Sequence, residues 1–170
     1  MKKTFVNHLD HIRETEEQLA KGAFLTVQAD GIPNTMTISW GSVGHMWNRP
    51  IFTVMVRPQR RTFELLEKAG HFTVSLPVGQ GMEEALAYCG SNSGRDRNKF
   101  KECDLHLEEG EKVDSPVISN ARLHYECQVV AKHPLTEEGL DPELVEKFYP
   151  RKDYHMMFYG KILSCYLLEE

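Results

Sequence analysis

Two-residue alternation is the strongest periodic signal along this chain. AFLTVQA (23–29) leads into the turn signal Asp30-Gly31 and then NTMTISW (34–40), where Met36, Ile38 and Trp40 share one face while Thr37 and Ser39 share the other. That arrangement predicts a β-hairpin. IFTVMV (51–56) is almost continuously apolar, as a strand buried on both faces would be, and Arg57-Pro58 ends it. A polar, glycine-bearing loop is expected between them, at 41–48. HFTVSLP (71–77) reads as a strand stopped by Pro77, and LHLEEGEKV (105–113) has strand texture. RLHYECQVVAKHPL alternates through Leu123, Tyr125, Cys127 and Val129. The closing run DYHMMFYGKILSCYLLEE predicts one long strand, bent by a bulge at Gly160.

Helical patterns are fewer and shorter. Residues 10–21 are polar helix formers, with Asp10 placed to cap and Gly22 to stop. RRTFELLEKA (60–69) carries Phe63, Leu65 and Leu66 on one side with Gly70 behind it, and GQGMEEALAYCG groups Met82, Ala85, Leu86 and Cys89. Asp141-Pro142 opens a further helix that runs to Phe148. Six or more hairpin-linked strands with few helices predict a mainly β protein, an antiparallel barrel with peripheral short helices. Closure would remove its edges, leaving walls packed inside and wet or partner-covered outside.

Composition narrows this picture. A chain of 170 residues with 41% hydrophobic and 26% charged content fits one domain, 1–170, in which 1–22 forms an N-terminal helical extension. Twenty Lys and Arg against 25 Asp and Glu leave a net charge of −5, which favours neither nucleic acid nor an anionic membrane. Any attraction for anions must therefore be local. Cys89, Cys103, Cys127 and Cys165 are dispersed without a C-x-x-C pair, as reduced thiols of a cytoplasmic protein would be. No signal-peptide pattern and no membrane-length apolar run is present. His8 and His11 lie near Asp10 and Glu14, but they read as a solvated helix face, and no metal site is expected. His71, His106, His124 and His133 read as surface or packed side chains.

Candidate chemistry gathers in residues 34–62. Hydroxyls and strand-end amides at 37–41 can hydrogen-bond a planar heterocycle, and Arg57, Arg60, Arg61 and Thr62 can gather phosphate oxygens. Arginines in the first turn of a helix oppose its dipole. A bound phosphate would account for them, and so would simple solvation. Thr37 and Ser39 could equally be the wet face of an ordinary sheet. The loop GSNSGRDRNKF (90–100) is either a flexible connection or a ligand cradle.

Four segments, in this order and spacing, resemble the flavin reductase-like proteins of the FMN-binding split-barrel fold, the group that includes flavoredoxins. They are NTMTISW with the later Asn48-Arg49-Pro50, RPQRRTFELLEKAGHFTVSLP, CGSNSGRDRNKF, and HYECQVV with HMMFYGKI. The resemblance implies a Greek-key split barrel with FMN as cofactor. It places Thr37, Ser39, Trp40 and Gly41 at the flavin ring, Arg57, Arg61 and Thr62 at the phosphate and ribityl chain, and Asn92, Ser93, Gly94 and Lys99 at the same cofactor. His155 is a further cofactor contact on this reading. Asn98 departs from the Asp that relatives carry there, and the 44–48 segment GHMWN is bulkier than usual.

The implied activity is electron transfer from NAD(P)H through FMN to a free flavin or another acceptor such as a redox protein. The alternatives are a flavoredoxin-like carrier without NAD(P)H activity and a non-catalytic FMN-binding module. No catalytic acid or base is assigned, because the flavin carries the chemistry. A homodimer is also implied, for which Trp47 and the 154–159 run supply aromatic surface.

Overall fold

The computed structural model describes residues 2–169. Ten strands are present: β1 (Lys2–Phe5), β2 (Ala23–Ala29), β3 (Ile32–Ile38), β4 (Gly41–Met46), β5 (Arg49–Val56), β6 (His71–Leu76), β7 (Leu107–Glu108), β8 (Val117–Ile118), β9 (Leu123–Pro134) and β10 (Met156–Glu169). Among the described residues five α-helices accompany them: α1 (Ile12–Leu19), α2 (Arg61–Ala69), α3 (Glu83–Ser91), α4 (Lys99–Glu102) and α5 (Pro142–Phe148). None is long and apolar enough to cross a membrane.

The main sheet is antiparallel, in the order β3-β2-β6-β9-β10-β5-β4, with β1 added along the far half of β10. β3 and β4 end this path on opposite sides, although only Ser39 and Trp40 separate them in sequence. The two ends must therefore meet in space. The sheet curls into a barrel whose seam lies at that two-residue link.

Long β10 organises the wall, pairing β9 along most of its length and β5 along its first part. Its register against β9 slips between Tyr159 and Gly160, the bulge expected there. Gly160 is required by packing, because an added Cβ would run into the Phe72 ring and Cys127. The interior is filled by Leu25, Val27, Phe52, Val54, Leu66, Phe72, Val74, Tyr125 and Phe158, all at most 1% exposed.

The β2–β3 hairpin turns through Asp30 (φ 52) and Gly31 (φ 72), as a type I′ turn requires. Gly70 ends α2 in the left-handed region, and Asp141 caps α5 by accepting from the Glu143 amide. All four cysteines are free thiols.

Several expectations change. Residues 41–48 are not a loop: β4 pairs with β5 from Gly41↔Val54 to Met46↔Arg49, around a turn in which Trp47 (φ 51) and Asn48 (φ 55) both take positive φ. Glycines and polar residues conceal this exposed strand. Asp10 does not start the first helix; it lies in a 3-10 turn, His8–His11, which Asn7 caps by accepting from the Leu9 amide. Most of 105–113 is irregular, with only β7 as strand.

That irregular segment covers a face of β9 that alternation alone would leave wet. Glu126 is fully buried and accepts from the amides of Glu111 (2.8 Å), Lys112 (2.6 Å) and Val113 (3.2 Å). His124, also fully buried, hydrogen-bonds Ser75 Oγ through Nδ1 and donates from Nε2 to Ala121 O, each at 3.1 Å. Burial lowers its pKa to about 3, so the ring is neutral.

Candidate functional site

Two adjoining cavities open at the barrel seam. The first, about 330 Å³, is lined by Met36, Thr37 and Ile38 at the end of β3, Ser39 and Trp40 of the link, Met55 and Arg57 at the end of β5, Arg60, and His155 just before β10. The second, about 150 Å³, lies between the start of α2 and the segment after α3, and Arg60, Arg61, Arg95 and Lys99 line it together with Asn34, Thr62, Asn92, Ser93 and Gly94. Met36 and Arg60 belong to both walls. A ring-sized slot thus leads into a chamber with four basic side chains.

In the slot, Trp40 does not continue the buried face of Met36 and Ile38. The strand ends at Ile38, leaving the indole 39% exposed, with its ring edge-on to Phe148 at 5.0 Å and tilted against His155 at 5.4 Å. Thr37 donates its hydroxyl to Leu86 O at 2.5 Å, which ties the slot floor to α3. His155 Nδ1 is 2.8 Å from the Tyr149 hydroxyl. Burial, reinforced by the charge of Arg57, lowers the His155 pKa to about 4, so it lines the slot as a neutral ring. Gly41 lines neither cavity; its backbone packs against β5, where an added Cβ would sit 2.6 Å from Thr53 O.

Arg57 edges the slot with both terminal nitrogens engaged. It donates to Phe148 O (2.9 Å) and Asp153 O (3.1 Å), pairs with the Asp153 carboxylate (2.5 Å), and lies 5.1 Å from the Tyr149 ring centre. Such a side chain is a strut that fastens the end of α5 beside the slot. Against the expectation of a phosphate contact, Arg57 lines the slot and not the basic chamber.

In the chamber, Arg60 donates two N–H groups to Gly90 O at 2.9 and 3.0 Å. Lys99, only 3% exposed, donates to Thr35 O and Cys89 O, both at 2.9 Å. Burial, with the charge of Arg60 adding to it, lowers the Lys99 pKa to about 8. The buried Thr62 hydroxyl accepts from Asn34 Nδ2 at 2.8 Å. Gly94 approaches the same Asn34 so closely that a Cβ there would displace the amide. Asn98 caps α4 through its side chain, accepting from the Lys101 amide at 3.1 Å, a role its carbonyl oxygen fills as a carboxylate would.

Sequence reasoning thus finds Thr37, Ser39, Trp40 and His155 around one cavity, and Arg61, Thr62, Asn92, Ser93, Gly94 and Lys99 around the other. It passes over Asn34, Met55, Gln59 and Arg95, and its family-guided choice favours Arg57 where the shared wall belongs to Arg60. The tandem Arg60-Arg61 at the head of α2 is a signal that could have kept Arg60.

An antiparallel barrel with this seam groove defines a split-barrel protein. The flavin reductase like domain matches residues 20–170, and the chain belongs to that family. Among solved structures, it is similar to a flavoredoxin from Methanosarcina acetivorans (27% identity, TM-score 0.66, 85% of this chain and 67% of that one). An FMN-binding domain of a flavin reductases-like enzyme from Shewanella baltica shares the fold (19% identity, TM-score 0.69, 98% and 78%). So does the flavoredoxin of Desulfovibrio vulgaris (21% identity, TM-score 0.67, 86% and 68%).

Proposed function

We propose that the groove holds FMN and that the chain is an FMN-dependent oxidoreductase. The observation that carries this reading is the continuity of a ring-sized slot with a basic chamber through Met36 and Arg60. A phosphorylated planar heterocycle needs both parts at once. The donor set fits: Arg60, Arg61, Arg95 and Lys99 supply N–H groups for a phosphate monoester, with Asn92 and Ser93 beside them. Gly94 keeps its wall of the chamber free of a side chain. When bound, FMN supplies hydride and one-electron transfer, while the protein contributes position and surroundings.

The chain's own residues then have distinct tasks. Thr37, Ser39 and Trp40 bound the slot, the neutral His155 offers a polar ring nitrogen without bringing a charge, and Met55 makes part of the wall apolar. NAD(P)H is the proposed donor, and a free flavin or a redox protein the proposed acceptor. Likeness to flavoredoxins favours a second reading, an electron carrier without NAD(P)H activity.

Anaerobic addition of NADH or NADPH to the FMN-loaded protein separates the two. Loss of the flavin's visible absorption within seconds supports the reductase. A spectrum that bleaches with dithionite but not with either nicotinamide supports the carrier. We further propose a homodimer formed through the face that exposes Trp47 (60%) beside Tyr159.

A further inference from the structure

The basic chamber carries a carboxylate of its own. Glu64, in the first turn of α2, accepts from Arg61 Nη1 through Oε2 at 2.5 Å and from Arg95 Nη2 through Oε1. These two arginines come from different elements, the head of α2 and the segment after α3, and both line the chamber; Glu64, outside the lining itself, joins them from behind. Arg95, then Arg61, hold its carboxyl below the usual range. The other two basic groups rest on neutral acceptors, Arg60 on Gly90 O and Lys99 on two backbone carbonyls. Among the described residues, Glu64 is therefore the full negative charge paired with the chamber's cations.

We propose that Glu64 is an internal competitor for the anion site and sets how tightly the chain holds a phosphate monoester. This inference rests on the FMN reading. A guanidinium has five N–H donors, so Arg61 and Arg95 can turn toward an incoming phosphate without leaving the site. Doing so they must share or release the carboxylate, whose like charge opposes the incoming anion. Removing the unit charge of a partly exposed, screened carboxylate roughly one guanidinium away from the anion changes affinity by about tenfold. The residue thereby tunes the protein between a tightly held cofactor and an exchangeable one.

The test is titration of FMN, riboflavin and inorganic phosphate into the wild type and Glu64→Gln, following flavin fluorescence and, for phosphate, phosphorus NMR. Glutamine keeps the length and one acceptor oxygen while removing the charge. The expected result is FMN affinity about tenfold higher in Glu64→Gln, phosphate affinity raised in parallel, and riboflavin unchanged. Equal or weaker FMN binding in the variant overturns the proposal, since the carboxylate would then be aligning the arginines rather than opposing the ligand. If neither protein binds flavin, the FMN reading fails, and phosphate decides the role of Glu64. Tighter phosphate binding by Glu64→Gln supports the role, and equal binding overturns it.

Discussion

Arg57 and Arg60 stand three residues apart, and their hydrogen bonds assign them different tasks. Arg57 fastens the end of α5, whereas Arg60 rests on a single backbone carbonyl between slot and chamber. Arg60→Ala should therefore weaken FMN binding by roughly tenfold to a hundredfold, the loss of one charge-assisted contact, and leave riboflavin nearly untouched. Arg57→Ala should weaken both flavins alike, because it loosens the wall that carries Tyr149 and His155. Fluorescence titration of the two ligands into the two variants reads this difference. Sequence alone could not make the distinction, since both arginines follow an apolar strand and only the placement of α5 commits one of them to Asp153 and Phe148.

Two histidines, the buried His124 and the half-buried His155, give the molecule a pH signature. Burial lowers His124 from 6.5 to about 3 and His155 from 6.5 to about 4, so both stay neutral in the folded chain while they protonate in the unfolded one. Between pH 6.5 and 4 the unfolded state thus binds more protons, and stability falls as pH falls through that window. Each group contributes a slope on the order of 1.4 kcal/mol per pH unit. Urea unfolding at a series of pH values should show a shallower decline for His124→Gln than for the wild type.

At the scale of elements, glycines mark the places where backbones approach. Gly160 sits against Phe72 and Cys127, so Gly160→Ala should cost about 1–3 kcal/mol in urea unfolding through overpacking. Gly94→Ala should leave global stability nearly unchanged but push Asn34 away from Thr62, lowering FMN affinity. A variant that binds FMN as the wild type does would show that the Asn34–Thr62 contact does not shape the chamber.

Hairpin and helix signals were legible where Asp-Gly, Asp-Pro or terminal glycines marked them, as at 30–31, 141–142 and 70. β4 escaped because Gly41, Gly44 and the exposed polar Ser42 and His45 read as loop, and its tight turn uses Trp47 and Asn48 instead of glycine. The outer face of β9 escaped for another reason. Glu126 looks like a wet position until residues 111–113 fold across it, and His124 until Ser75 and the Tyr166 ring close on it, long-range contacts that no local pattern encodes.

At the scale of the molecule, barrel closure makes the site. Two residues link strands at opposite ends of the sheet path, and the slot forms at that seam, with α2 and the 91–99 segment completing the chamber beside it. The proposed dimer belongs to this scale as well. Sedimentation equilibrium should give twice the chain mass at micromolar concentration, and Trp47→Asp should shift the distribution toward the monomer, since Trp47 is 60% exposed on the β4–β5 turn. A wild type that sediments as a monomer with FMN bound would remove the dimer from the account.

The most direct measurement is a comparison of flavins on the wild-type chain. Apoprotein titrated separately with FMN, riboflavin and FAD should bind FMN most tightly, turn yellow at one FMN per chain, and lose its preference over riboflavin in a Lys99→Ala, Arg60→Ala double variant. Equal affinity for FMN and riboflavin in the wild type, or no flavin bound at all, would contradict the claim that slot and chamber together form a flavin phosphate site.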